Sequence, residues 1–345
     1  MHTDSARPIR SWLWILWAAI VLMVALGGIT RLTGSGLSIV EWEPLMGAIP
    51  PLNEADWMEV FRKYQDSPQY KLVNDHFTLA EFKMIFLWEY LHRLWGRTLG
   101  LIFAIPFLVF WWRKQLQPYG LKRFAFTFAM GGLQGLAGWL MVASGLVDRP
   151  NVSHLRLTIH FMLAVALAGW IMWLIASIEP SDDQSRAEAS SDRQPGLALG
   201  LLTVTLTVQL IYGALMAGLK AGYLFPTYPD MGGSWLPEGL WAGTGLLDNW
   251  LNNPTLVHWF HRYFAFVPLA LALWSWATLR AHPGMRMLSL WLTILAVLQT
   301  ALGALTVLTH VSLHPAVTHQ VVGFVWMSLA IYTWARWRFN SARRA

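Results

Sequence analysis

The chain has 345 residues, 55% of them hydrophobic and 13% charged, with 22 tryptophans, no cysteine and a formal net charge of +6. That balance excludes a soluble two-domain protein and indicates a polytopic membrane protein. Without cysteine there are no disulfides and no thiolate metal sites, so any metal must be held by histidine or carboxylate.

Apolar runs of about twenty residues fall near 12–30, 83–110, 124–146, 155–178, 197–219, 255–279, 287–309 and 315–335. They predict an all-α fold of eight transmembrane helices. The first run follows Arg7 and Arg10 but lacks a small-residue cleavage site, so it is expected to be a retained helix. It ends in Gly27-Gly28-Ile29-Thr30-Arg31-Leu32-Thr33-Gly34-Ser35-Gly36-Leu37. Small residues there let a backbone or a flat ligand approach closely, although helix packing and a C-cap would explain them equally well. Residues 31–81 form a long outer loop with Pro44, Pro50 and Pro51. Within it, Asp56 to Tyr64 alternates aromatic and charged residues at helical spacing, which predicts a short amphipathic helix on the surface.

The second span opens with Trp88-Glu89-Tyr90-Leu91-His92-Arg93-Leu94-Trp95-Gly96-Arg97. Three-residue spacing sets Glu89 and His92 on one helix face, and ionisable groups in a membrane are costly enough to be read as functional. The third span carries Gly131, Gly132, Gly135 and Gly138, a small-residue packing face. Beyond Asp148-Arg149-Pro150-Asn151, the fourth span starts at His154 and holds His160 about two turns inside.

Residues 179–196 are polar and low in aromatics, and read as a cytoplasmic linker between halves 1–178 and 197–345. The second half replays the first. Gly213-Ala214-Leu215-Met216-Ala217-Gly218 matches the Gly27 stretch, and another proline-containing outer loop follows. Val257-His258-Trp259-Phe260-His261-Arg262-Tyr263 then repeats the His-Arg-aromatic pattern, with His258 where Glu89 stood. Leu298-Gln299 before Gly303 matches Leu133-Gln134 before Gly138, and His319 stands where the fourth span has His160. A duplication is the simplest account, giving two pseudo-symmetric four-helix bundles.

Arg113, Lys114, Lys122, Arg123, Arg280, Arg286, Arg336, Arg338, Arg343 and Arg344 fall on the side of the N-terminus, which makes that side cytoplasmic. The positive charge is therefore a topology signal and not a nucleic-acid footprint. Even-numbered spans then run inward, so His92, His160, His261 and His319 are level in their outer portions. Each half draws its pair from its second and fourth spans, which is how a bundle presents two axial imidazoles to a haem, with glycines of the odd spans beside the ring. Arg93, Arg97, Arg156 and Arg262 near that level are candidates to pair with haem propionates. A lone intramembrane histidine is more simply a hydrogen-bonded packing residue; two pairs at matching positions favour ligation. His2, His76 and His282 are expected to be solvated, and His154, His258, His310 and His314 to lend polarity to the outer surface. Glu89 is open to two readings: a salt bridge with Arg93 or Arg97, or a carboxylate that binds water, takes a proton or stabilises positive charge beside His92. Its absence from the second half assigns reaction to one half and electron transfer to the other.

These residues resemble the heme A synthase family in its proteobacterial and mitochondrial form. The resemblance runs from about Trp12 to Arg338. It rests on the Gly27–Ser38 stretch, on Glu89-Tyr90-Leu91-His92-Arg93, on His160, on His258-Trp259-Phe260-His261-Arg262 and on His319-Gln320. The resemblance implies a membrane oxidoreductase that oxidises the C8 methyl of haem O to a formyl group by two successive hydroxylations, giving haem A for terminal oxidase assembly. It further implies haem b as cofactor on the irons' ligands His261 and His319, substrate haem O bordered or ligated by His92 and His160, and Glu89 as the catalytic carboxylate. A haem O synthase partner and a multi-pass place in the cell inner membrane, both termini cytoplasmic, are implied with it. The cysteine pair of some Gram-positive members is absent here, so no role of those thiols carries over. The competing reading is a di-haem b-type, quinol-linked electron-transfer cytochrome, which needs no carboxylate in one half only. A haem exporter fits less well, because its site belongs at mid-membrane on broken helices.

Overall fold

The computed structural model describes residues 3–41, 49–147, 150–179 and 193–342. His2, Pro44, Asp148, Arg149, Arg343, Arg344 and positions 180–192 of the expected linker lie outside the described residues. The helices are α1 (Thr3–Leu32), α2 (Glu54–Gln65), α3 (Leu79–Trp112), α4 (Leu121–Ala143), α5 (His154–Ile178), α6 (Gln194–Gly218), α7 (Leu246–Asn252), α8 (Pro254–Phe264), α9 (Phe266–Leu279), α10 (Pro283–Leu308) and α11 (Leu313–Ala342). Among the described residues, eight spans are long and apolar enough to cross a membrane: α1, α3, α4, α5, α6, α8 with α9, α10 and α11. This is the all-α, multi-pass architecture expected from the apolar runs.

The sixth span differs from its expected form. It breaks at Ala265, between α8 and α9, because Pro268 offers no N–H to the Phe264 carbonyl and its ring crowds that carbonyl. α3 starts sharply: Thr78 caps it and Glu81 closes the reciprocal capping box. Its 34 residues make a rod of about 51 Å, longer than a hydrocarbon core of ~30 Å. The projecting turns carry Phe82, Ile85 and Phe86, and α2 lays Phe61 and Tyr64 on them. The amphipathic helix expected in the loop therefore forms, but its apolar face meets protein.

Packing partners fall into two rings. α1, α3, α4 and α5 close one, in that order; α6, α8 with α9, α10 and α11 close the other. The rings meet where α5 packs on α11, α1 on α11, and α5 on α6. Exchanging the halves maps these contacts onto themselves. α5 and α11 lie at the centre, with 50% and 44% of their apolar windows buried, whereas α3 and α4 have 6% and 11% and face outward.

At the end remote from the long loops, one apolar cluster joins both rings through Ile9, Leu13, Phe103, Phe124, Ile171, Met172, Leu199, Leu292 and Phe324. Lipid is as apolar as these side chains, so fit and not water exclusion holds them. Glu179 ties α5 to α11 at the same end, accepting from Tyr332 Oη and from Arg336 Nη1 at 2.6 Å. The tier nearer the long loops is left to the histidines.

Candidate functional site

Each of the four histidines rests on a glycine of the neighbouring span. An added Cβ would stand 3.1 Å from His92 Cε1 at Gly27, 2.9 Å from His160 Cε1 at Gly138, 3.0 Å from His261 Cε1 at Gly213 and 3.0 Å from His319 Cε1 at Gly303. Any side chain there would push the imidazole out of place. All four rings are half-buried. Counting 1.5 Å per residue from the far ends of their spans, Trp112, Ile178 and Leu279, puts His92, His160 and His261 about 27–30 Å up. These three fall within about 3 Å of one another by that count, and the same count from Ala342 puts His319 about 35 Å up.

His261 and His319 face each other with ring centroids 6.3 Å apart and planes at 89°. Two metal–nitrogen bonds of about 2 Å, plus about 1 Å from each nitrogen to its ring centre, account for that separation. His261 Nδ1 lies 3.2 Å from both the backbone carbonyl and the side-chain Nε2 of Gln209, so Nδ1 is taken up by α6 and Nε2 is the nitrogen left to ligate. The separation, the glycine cradles and the freed Nε2 fit a haem between α8 and α11. His92 on α3 and His160 on α5 belong to the first ring.

Glu89 is buried and fully engaged. Oε1 pairs with Arg93 Nη2 at 2.6 Å, and Oε2 accepts from Ser38 Oγ at 2.7 Å and from the Ile39 N–H at 2.8 Å. Arg93 also donates to the carbonyls of Ile39 and Glu41. The salt bridge anticipated as the plainer reading is thus present, and it fastens the long loop to α3. The second ring has the same device in other chemistry. Arg262 donates to His258 Nε2 at 2.9 Å and to the carbonyls of Phe225, Thr227 and Asp230. His258 was expected near the surface, but it is 1% exposed, because the 225–230 loop folds over it.

The remaining candidates separate cleanly. Arg156 is exposed and donates to the Leu140 carbonyl at 2.7 Å; Arg97 is half-buried one turn past Arg93. His154 bonds Asn252 Oδ1 at 2.9 Å, linking the two halves near their loops. His282, expected to be solvated, stacks on Trp337 at 5.2 Å. His76, His310 and His314 are exposed. Arg31 was not singled out by its sequence: its Nε is buried without a partner among the described residues, one turn beyond Gly27. Its position four residues after the histidine-packing glycine was the available signal.

Two rings of membrane-length spans, each carrying two histidines backed by glycine, define a polytopic membrane protein with a histidine pair in each half. A profile of the cytochrome oxidase assembly protein family matches residues 10–331. The chain is 42% identical over 326 residues to the heme A synthase of Sphingopyxis alaskensis, covering 92% of this chain and 89% of that one. It is 42% identical over 343 residues to that of Rhodopseudomonas palustris strain BisB5, covering 98% and 93%. Against that of Bradyrhizobium diazoefficiens it is 41% identical over 333 residues, covering 95% and 91%. The chain belongs to the heme A synthase family of cytochrome oxidase assembly proteins.

Proposed function

We propose that this chain is a heme A synthase, which oxidises the C8 methyl of haem O to a formyl group by two successive hydroxylations and so provides haem A for terminal oxidase assembly. Residues 1–178 form the substrate half, with haem O beside His92 and His160. Residues 197–345 form the cofactor half, with haem b on His261 and His319, joined to the first by 179–196. Haem b supplies one-electron redox chemistry when bound.

The observation that carries the reading is a buried carboxylate three residues from a glycine-backed histidine in one half only, with His258 in its place in the other. Arg93, Ser38 and the Ile39 N–H hold Glu89 as a fixed anion. A preorganised negative charge there stabilises positive charge developing on the substrate ring and orients a water against it. Arg93, Arg97, Arg156 and Arg262, with Arg31 added, are the cations proposed to pair with propionates at the loop end, and pairing would compete there with the loop carbonyls that Arg93 and Arg262 bind. The farnesyl tail of haem O partitions into lipid, and the weakly enclosed flank of α3 and α4 offers it sideways entry. There Gly100, Gly131 and Gly135 have nothing within 4 Å of an added Cβ. The reading places the chain in the cell inner membrane with both termini cytoplasmic, supplied by a haem O synthase.

The test is pigment extraction from membranes expressing the chain with haem O. Wild type is expected to yield formyl haem. Glu89→Gln is expected to keep haem b but to accumulate haem O or its alcohol, and Lys63→Ala, which loosens only the outer loop through its pairs with Glu41 and Glu59, to keep making the aldehyde. Normal aldehyde formation by Glu89→Gln would remove the catalytic assignment.

A further inference from the structure

In each half one histidine is held at its ring Nδ1 and the other is not. Gln134 Nε2 lies 3.3 Å from His160 Nδ1, and Gln209 takes up His261 Nδ1. His92 Nδ1 and His319 Nδ1 have no partner among the described residues. The set of the His92 imidazole is therefore left to what it rests on, which is Gly27 of α1. Two consecutive glycines, Gly27 and Gly28, make that turn the soft point of its helix.

Gln320 braces the turn from the other ring of spans. Neighbouring residues on a helix point about 100° apart, so α1 presents Gly27 to His92 of α3 and Gly28 to α11. An added Cβ at Gly28 would stand 3.2 Å from Gln320 Nε2 and 3.3 Å from its Oε1. Gln320 Nε2 donates to the Val24 carbonyl at 3.0 Å, one turn before Gly28. Glutamine bonds of this kind hold helices together in membranes. On α11 the preceding residue, His319, faces His261 and Gly303 instead. Exchanging the halves does not preserve the brace. Phe161 follows His160 and packs on Phe324, ring centroids 6.4 Å apart, and Ala214 stands where the first half has Gly28.

We propose that Gln320 is a positioning residue of the first site, supplied by the second ring of spans: it fixes the 24–28 turn of α1 on which the His92 imidazole rests. The inference rests on the reading of that site as the haem O site and extends it by a side chain from the other half. Gln320 adjoins His319 in the chain, so a merely local defect would appear at haem b. The brace places the defect at haem O.

Purified protein carrying haem b is titrated with haem O and followed by absorbance, with haem b counted by extraction. Gln320→Met keeps the length of the side chain and removes its N–H. It is expected to weaken haem O binding by about three- to tenfold, the worth of one interhelical hydrogen bond, and to leave the amount and spectrum of haem b unchanged. Gly28→Ala, whose methyl pushes on the amide, is expected to do the same. In a Gln320→Ala background that methyl finds space, so adding Gly28→Ala should cost nothing further. Unchanged haem O binding in Gln320→Met and Gly28→Ala would overturn the proposal. Loss of haem b along with or in place of haem O, or additive losses in the double variant, would overturn it too. Wild-type protein that takes up no haem O would instead overturn the reading of the site itself.

Discussion

What a single atom displaces is measurable at the glycines. A methyl at Gly303 would stand 3.0 Å from His319 Cε1, inside ordinary contact, with α10 backbone on one side and the imidazole on the other. The ring must rotate or the helices must part, at a cost of about 1–3 kcal/mol for overpacking. Rotation is the outcome that matters, because the perpendicular planes of His261 and His319 at 6.3 Å leave room for one ring and little else. Gly303→Ala is therefore expected to weaken the low-spin, two-histidine absorption of the purified protein. Gly100→Ala, which meets nothing within 4 Å, is expected to leave it intact. Equal spectra for the two variants would show that the cradle does not position the ring.

Among the elements, the loops are held by the same residues that looked like site residues in the sequence. Arg93 and Glu89 are 13% and 3% exposed in their side chains and join α3 to residues 38–41. Removing one partner strands a buried charge, a loss on the order of 3–5 kcal/mol, whereas removing both charges does not. Arg93→Met is thus expected to lower the detergent melting temperature more than the double variant with Glu89→Gln, and the reverse order would show the pair to be unimportant to loop closure. The spans themselves were legible because twenty apolar residues admit one structure in lipid. The duplicated His-Arg and Gln-x-x-x-Gly spacings were legible too. What escaped were effects that need a distant partner. The depth of His258 comes from a loop some thirty residues earlier folding over it. The face of α2 has an apolar pattern that suits lipid or protein alike, and only Phe82 and Phe86 decide between them. Pro106 lies inside an unbroken α3 while Pro268 accompanies a break, so proline alone did not locate it.

The whole molecule is two rings with matched contacts and unmatched chemistry. Exchanging the rings preserves the packing of α5 on α11, yet turns Glu89 into His258 and Met23 into Gln209. The rings also touch at the histidine level: Gly27 backs His92, while the adjacent Gly28 receives Gln320, whose Nε2 donates to the Val24 carbonyl at 3.0 Å. Each histidine pair nevertheless belongs to one ring, backed by glycines of that ring, so losing one pair leaves the other's walls standing. On the proposed assignment of haem b to the second ring, His261→Ala is accordingly expected to lose that haem while still binding added haem O. His92→Ala is expected to keep haem b at full stoichiometry and make no formyl haem. Pigment stoichiometry of the two purified variants decides it, because loss of haem b from His92→Ala with retention in His261→Ala would exchange the roles of the rings and leave Glu89 in the half that carries electrons.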